Sequence, residues 1–179
     1  NNSYTIFANE ENKQKMVSLY ENSSSLLDLG FKVSVGNIIW NQRKDILTND
    51  DSKTRLIYSS DIVNNTLIQK KYKNVDKHNF INKSGINRPM IVINRGYGVG
   101  EYKFNYCLLN ESFDYLIENH LICIEYTHDL SHDKLIDIYN KIIRSLNNKK
   151  TAEFIGLYFG NNAINTTELN CILPIFQDI

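Results

Sequence analysis

The segment 131–148 constrains the fold of this chain more than any other, because it carries an uninterrupted helical pattern. Its apolar residues recur at intervals of three and four on one face, at Leu135, Ile138, Tyr139, Ile142, Ile143 and Leu146. Ser131 is a favourable N-cap, and two asparagines end the pattern. A helix of this kind must bury its apolar stripe against a second layer of structure.

Short alternating or apolar segments precede this helix and predict strands at 31–36, 55–58, 89–93, 102–109 and 121–126. Residues 38–40 are expected to extend the first strand after a glycine break. Further helices are predicted at 10–21 and 151–160. A short helical start, a run of strands and then helices predict an α+β fold. We expect one domain over residues 1–179, with a twisted, mostly antiparallel sheet covered by C-terminal helices.

The composition is that of a globular domain, with 42% hydrophobic and 22% charged residues. No apolar run approaches the roughly 20 residues of a membrane span, so we expect no membrane partner. Because Asn1 stands first instead of Met, we expect a fragment of a longer protein. Cys107, Cys123 and Cys171 lack CxxC spacing. They predict buried free thiols in a reducing cytoplasm and no metal site.

The net charge is zero, but the charges are unevenly distributed. Residues 69–105 contain eight basic and two acidic residues, whereas residues 106–139 contain seven acidic and one basic residue. One face could therefore bind phosphate while the whole chain stays neutral. A solvated loop in a Lys-rich and Asn-rich composition is the alternative interpretation.

The glycines at 96, 98 and 100 follow a predicted strand, but they do not form a dinucleotide-binding fingerprint. That fingerprint needs G-x-G-x-x-G at the start of a helix, and here a strand follows. A hairpin loop is predicted instead. The residues that flank this loop are Asn94, Arg95, Tyr97 and Lys103. Their side chains suit contact with base edges or phosphates. An ordinary polar hairpin tip is the alternative interpretation.

Residues 40–44 place an aromatic ring beside two amides and two cations. Such a group can stack on a base, bond to base edges and grip phosphate. The alternative is that Trp40 belongs to the core and that a solvated turn follows it. The residues after Trp40 are Asn41, Gln42, Arg43 and Lys44.

A second hypothesis is a metal-dependent nuclease. Glu101 and Lys103 form an E-x-K triplet with Asp76 upstream, loosely like the site in which restriction endonucleases hold magnesium. Such triplets are common by chance.

Several segments, in order, resemble the target recognition domain of N6-adenine DNA methyltransferases from restriction–modification systems. Residues 31–40 are similar to the start of that domain, and Arg-Leu-Ile-Tyr at 55–58 resembles a strand that follows it. Residues 89–95 resemble a strand ending in an Arg-containing turn, and Glu-Asn-His-Leu at 118–121 resembles a further family segment. Residues 157–174, with their Asn-rich loop, Thr-Thr-Glu-Leu and Leu-Pro, resemble the closing segment. Within it, a short helix is predicted to start on the Thr-Thr-Glu cap at 166–168 and to stop at Leu-Pro.

The resemblance implies a fold like that of a target recognition domain, which reads double-stranded DNA and does no chemistry itself. The family's Asn-Pro-Pro-Tyr/Phe motif and its glycine-rich S-adenosylmethionine loop are absent from this sequence. We therefore expect no catalytic residue and no cofactor in this chain. S-adenosylmethionine would belong to a methyltransferase catalytic domain joined in cis or acting in trans.

Residue chemistry and the resemblance together define the expected contacts. Base contacts are expected from Trp40, Asn41, Gln42, Asn94, Arg95, Tyr97, Asn161, Asn162 and Asn165. Phosphate contacts are expected from Arg43, Lys44, Lys70, Lys71, Lys73, Lys103 and Thr166. A third hypothesis, which overlaps with the first, is a protein-interaction module that docks on a separate methyltransferase as a specificity subunit does.

Overall fold

The structure is a computed structural model that describes residues 8–95, 104–159 and 163–176. Its helices are α1 (Glu10–Tyr20), α2 (His132–Leu146) and α3 (Lys149–Tyr158), and Glu168–Ile172 form a π-helical turn. Its strands are β1 (Ser23–Ser24), β2 (Phe31–Val35), β3 (Leu47–Thr48), β4 (Thr54–Ile57), β5 (Ile62–Val63), β6 (Thr66–Leu67), β7 (Phe80–Ile81), β8 (Met90–Asn94), β9 (Tyr106–Leu109), β10 (Tyr115–Ile117), β11 (Leu121–Tyr126) and β12 (Ile175–Phe176).

The central sheet has the order β2-β11-β8-β9, and all of its neighbours are antiparallel. Side chains alternate between its two faces, as the pleat of a strand requires. In β8, Ile91 and Ile93 join one core cluster, whereas Met90 and Val92 join another. Both faces of this sheet are therefore buried, which explains why the sequence of β8 is a continuous run of apolar residues.

The helices cover one face of the central sheet. Tyr139 and Ile142 of α2 and Phe154 of α3 pack in the same cluster as Ile91 and Ile93. The helix predicted from Ser131 is confirmed as His132–Leu146, and the α+β class with C-terminal helices is confirmed with it. The next helix starts two residues earlier than predicted, because the Asn148 side chain caps it by accepting a hydrogen bond from the Lys150 N–H.

The outer sheet packs on the other face of the central sheet and has the order β10-β4-β7-β3. Strands β10 and β4 are parallel, and the other pairs are antiparallel. Its inward face places Ile57, Tyr115 and Ile117 in one cluster with central-sheet side chains. Its outward face holds a third cluster, which contains Ile38, Leu47, Leu56, Tyr58, Ile81 and Leu116.

The prediction that residues 38–40 extend the first strand is wrong. A Cβ on Gly36 would lie 2.3 Å from the Glu118 carbonyl oxygen, so only glycine permits this close approach. The chain leaves the central sheet here, and Ile38 forms a parallel bridge with Glu118 at the end of the outer sheet. Trp40–Gln42 then form a 3-10 turn.

Within the three described ranges, no helix has the length and apolar character needed to cross a membrane.

Candidate nucleic-acid interface

A layer without regular strands covers the outward face of the outer sheet. It consists of two segments: residues 40–46, which we call the turn segment, and residues 68–78, which we call the strap. Trp40 and Ile46 of the turn segment and Tyr72 of the strap pack on the third core cluster. We call this layer the outer basic surface, because its two segments contain six basic and two acidic residues. Arg43, Lys44, Lys71 and Lys73 are exposed, and Lys70 is half-buried.

A buried ion pair anchors the strap to strand β4. Arg55 donates from Nη2 to Asp61 Oδ2 at 2.9 Å, and both side chains are almost completely buried. Asp61 also accepts hydrogen bonds from the Tyr58 N–H at 3.1 Å and from the Tyr72 hydroxyl at 2.5 Å. These bonds satisfy a carboxylate that would be costly to bury without partners.

The same arginine also reaches the far end of the strap. Arg55 Nη1 donates to the Asn79 carbonyl oxygen at 2.8 Å and to its side-chain oxygen at 3.0 Å. The Asn79 amide in turn donates to the Lys70 carbonyl oxygen at 2.9 Å. The backbone that carries the strap lysines is therefore held by a chain of hydrogen bonds that begins inside the outer sheet.

An aromatic cage holds the remaining strap lysine. The Lys77 Nζ atom lies 4.1 Å from the ring centroid of Tyr58, 4.2 Å from that of Tyr72 and 5.6 Å from that of Trp40. Burial lowers the pKa of Lys77, and the Glu118 and Asp61 carboxylates oppose that shift. Cation–π attraction of this kind strengthens when the cation loses water. Lys77 thus ties the strap to the turn segment.

Of the residues in the turn segment that were predicted to contact DNA, one packs against the protein and the others are exposed to solvent. Trp40 is half-buried in the cage, so it anchors the turn, while Asn41, Gln42 and Arg43 are exposed. Lys44 Nζ lies 2.7 Å from Asp76 Oδ2, and its hydrogen bond lowers the pKa of that carboxyl. Among the described residues, no ion pair engages the cations of Arg43, Lys71 and Lys73, which leaves these three available for phosphate.

A cavity of about 470 Å³ brings together three other predicted residues. We call it the C-terminal groove; Ser34 and Val35 line one part of it, and Arg95 with residues 163–166 line the rest. The Ile164 N–H donates to the Arg95 carbonyl oxygen at 3.3 Å, which joins the two segments. Arg95 and Asn165 are exposed, and Thr166 is half-buried.

The cap of the last helical turn differs from the prediction. The Glu168 N–H donates to the Asn165 side-chain oxygen at 2.8 Å, and the Asn165 N–H donates to the Glu168 carboxylate at 2.9 Å. This reciprocal pair is a capping box built on Asn165, one residue before the predicted Thr-Thr-Glu cap. The side-chain oxygen of Asn165, a residue that was predicted to contact a base, is therefore engaged by the cap.

The end of the central sheet beside Arg95 holds a pair, Glu118 and His120, to which the sequence analysis gave no role in a site. Asn94 lies opposite Leu121, so Arg95 and His120 continue at the same end. Glu118 is buried and accepts hydrogen bonds from the His120 N–H and from the His120 ring at Nδ1, while the His120 side chain is 69% exposed. The carboxylate orients the imidazole toward solvent. The sequence signal was the Glu-x-His spacing at a strand start.

Two buried asparagine oxygens lie at the same end of the sheet. Asn94 Oδ1 and Asn119 Oδ1 make no hydrogen bond with any residue of the described ranges. Buried amide oxygens normally have a partner. The side-chain oxygen of Asn94, a predicted base-contact residue, is therefore buried and closed to a base edge in this structure.

Five residues of interest lie outside the described part of the chain: Tyr97, Glu101, Lys103, Asn161 and Asn162. The nuclease hypothesis accordingly stays a prediction of the sequence, since two of its three residues are in this set and Asp76 pairs with Lys44. In the ranges that the structure describes, no group of three or more His, Cys, Asp and Glu side chains could hold a metal ion.

The sequence matches no protein-family model. The search of curated proteins found no match either.

Proposed function

We propose that this chain reads a specific sequence in double-stranded DNA, as the target recognition domain of a site-specific adenine-N6 DNA methyltransferase. The observation that carries the proposal is the outer basic surface, whose Arg43, Lys71 and Lys73 are exposed and free of ion pairs within the described residues. The strap beneath them is anchored by Arg55 and Asp61. A fixed backbone beneath these cations favours phosphate binding, because little loop entropy is lost on association.

The outer basic surface and the C-terminal groove suit contact with one DNA segment. Val35 lines the groove, and Trp40 begins the turn segment five residues later. Five residues span at most roughly 18 Å, which is less than one turn of B-DNA at about 34 Å. Arg43, Lys71 and Lys73 would position the duplex through phosphates, and Arg95, Asn41 and Gln42 would contact base edges.

Methyl transfer itself is assigned to a partner catalytic domain, in cis or in trans, which would bind S-adenosylmethionine and the flipped adenine. The present chain would hold the duplex against that domain in the cytoplasm. Among the remaining predicted contacts, Lys44 and Lys70 would add to the outer basic surface, and Asn165 and Thr166 would add to the C-terminal groove.

Duplex binding at rising salt tests the proposal. We expect affinity to fall steeply with salt because phosphate contacts release counterions, and Lys71→Ala and Lys73→Ala should each reduce the salt slope by about 1. Lys134→Ala is the matched control, since Lys134 is an exposed lysine of α2 on the helical side of the molecule. Equal losses in all three variants, or binding independent of salt, would contradict the proposed surface.

A second comparison separates base contacts from phosphate contacts. Arg95→Ala should cost about 1–3 kcal/mol on the cognate duplex and should relax specificity, whereas Lys71→Ala should weaken all sequences alike. The measurement is the affinity of each variant for cognate and random duplexes at one salt concentration. If both variants lose affinity equally on both duplexes, Arg95 makes no base contact.

A further inference from the structure

A separate cavity of about 280 Å³ lies where the strap begins. Gln69 from the strap, Phe80 from β7, and Glu111 and Phe113 from the β9–β10 connection line it. Asp51 and Lys53 form its rim on the β3–β4 turn. Its volume is slightly below the range of drug-sized ligand sites, so it suits a single small planar ligand. We call it the strap pocket.

Aromatic rings supply the apolar part of the strap pocket. Phe113 is 39% exposed, although it is a large apolar side chain. Phe80 is half-buried, and the Arg55 guanidinium carbon lies 5.7 Å over its ring centroid. Neighbouring Ile68 is also 38% exposed. Exposed apolar groups that line a concavity beside polar groups are typical of a binding site, and aromatic rings stack on bases without regard to sequence.

The polar groups of the strap pocket restrict the ligand further. Arg55 also lines the pocket, but its charge is already paired with the Asp61 carboxylate. Within the described ranges, Asp51, Glu111 and Lys53 form no ion pair, which leaves two carboxylates and one ammonium around the pocket. This balance disfavours an anion inside the pocket and favours a ligand that donates N–H groups. The Gln69 amide can both donate and accept.

We propose that the strap pocket binds an unpaired nucleobase with an exocyclic amino group. The base would stack on Phe113, and its amino group would donate to the Asp51 or Glu111 carboxylate, as cytosine N4 does with acidic side chains. Lys70 and Lys71 follow Gln69 directly in the chain, so the phosphate attached to such a base lies within reach of the strap lysines. The inference rests on the proposed DNA recognition, because duplex DNA exposes such a base only when it is extruded, and this base would be a second one beside the adenine that the catalytic domain takes.

Binding of two pyrimidine mononucleotides tests the proposal. Deoxycytidine 5′-monophosphate carries the amino group, whereas thymidine 5′-monophosphate carries an oxygen at the same position. We expect saturable binding of the cytidine nucleotide to the full chain by NMR, with shifts at the Ile68 and Gln69 amides, and several-fold weaker binding of the thymidine nucleotide. Phe113→Ala should weaken binding about tenfold. Val75→Ala is the control, because Val75 is an apolar strap residue that is 83% exposed outside the pocket.

Duplex affinity measured on the same samples separates this inference from the proposed function. Duplex binding without saturable nucleotide binding overturns the pocket and leaves DNA recognition standing. Equal affinity for both nucleotides, or equal losses in Phe113→Ala and Val75→Ala, also overturns the pocket. Nucleotide binding without duplex binding overturns DNA recognition and leaves the pocket assigned to free nucleotides. Near-UV circular dichroism of each variant verifies that the fold is retained.

Discussion

The central sheet and the outer sheet each have four strands, but different interactions hold them. Apolar side chains cover both faces of the central sheet, and Ile91, Val92 and Ile93 are all fully buried. The outer sheet packs one face on the central sheet and covers the other with turns and the strap. That second face has an apolar cluster of its own, and the strap that covers it is tied down by directional contacts of Arg55 and Asp61.

This difference indicates how each region responds to change. Burial of apolar surface is non-directional, so the central sheet tolerates other apolar side chains of similar volume. A buried ion pair with defined hydrogen bonds tolerates no such exchange of a single partner, because the remaining charge is left without a counterpart. The outer sheet therefore positions the basic strap accurately at the expense of tolerance to substitution.

Removal of the buried carboxylate should have the largest effect. Asp61→Ala leaves the Arg55 charge buried without its partner and should lower the free energy of unfolding by about 3–5 kcal/mol. Urea unfolding measures this loss, and duplex affinity should fall because the strap loses its anchor. The control is Asp45→Ala, an exposed carboxylate, which should change stability by less than about 0.5 kcal/mol. Similar small changes in both variants would remove the basis of the comparison.

A cavity in the central sheet should cost nearly as much stability but no function. Ile93→Ala should lower the free energy of unfolding by about 2–5 kcal/mol, because Ile93 is fully buried against the helices. Ile86→Ala, at a position that is 37% exposed, should cost less. Wherever Ile93→Ala remains folded, its duplex affinity should equal that of the unchanged chain. A selective loss of DNA binding would contradict the division between the two sheets.

Alkaline pH should weaken the contact between the two sheets. Burial raises the pKa of Cys107 to about 11 and that of Cys123 to about 12, from an ordinary value of 9.0. Both thiols ionise first in the unfolded chain, so their contribution is complete below pH 9.0 and is lost as pH rises toward 11 and 12. Urea unfolding along this pH range should show the decline, and it should be shallower in a Cys107→Ala, Cys123→Ala variant. Identical slopes would refute the assignment to the thiols.

Loss of the caged ammonium should have a modest effect. Lys77→Met keeps the length of the side chain but removes its charge, and it should cost about 1 kcal/mol of stability. The chain contains one tryptophan, Trp40, so its fluorescence reports on the cage directly. Lys83→Met, at an exposed lysine outside the cage, should leave both the emission and the stability unchanged. An unchanged Trp40 emission in Lys77→Met would mean that the cage does not form.

The smallest effect is expected at the exposed ion pair of Lys44 and Asp76. Both side chains are about half exposed, so water screens their attraction and side-chain ordering offsets it. Asp76→Ala should give no measurable change in urea unfolding. It should raise duplex affinity slightly, because it removes a negative charge and frees Lys44. A large loss of stability would show that polar contacts at the rim of the outer basic surface matter as much as those at its centre.

Periodicity was sufficient to predict the parts of the fold that depend on local pattern. Helix α2 and strand β8 follow from apolar spacing within each segment. The parallel pairing of β4 with β10 joins segments about 60 residues apart, and no local pattern marks it. The departure of the chain at Gly36 depends on the Glu118 carbonyl oxygen, which is distant in sequence.

The candidate site was also predictable only in part, because several of its contacts depend on the tertiary structure and not on local sequence pattern. Exposure of Arg43 and Lys71 follows from their polar surroundings in sequence. The cage around Lys77 joins residues that are distant in sequence, from Trp40 onward. Arg55 and Asp61 are only six residues apart, but they meet through a strand end and a 3-10 turn, so residue types alone indicated neither feature. Asn165 replaced the predicted threonine as the cap because the reciprocal partner, Glu168, lies three residues after it.

Selection from a pool of random duplexes, using the purified chain at low salt, tests the central claim most directly. If the outer basic surface and the C-terminal groove read DNA sequence, one short site should be enriched, and Arg95→Ala should lose that enrichment while retaining salt-sensitive binding. Retention of duplexes without enrichment of any site would contradict sequence reading. No retention at any salt concentration would contradict DNA binding altogether.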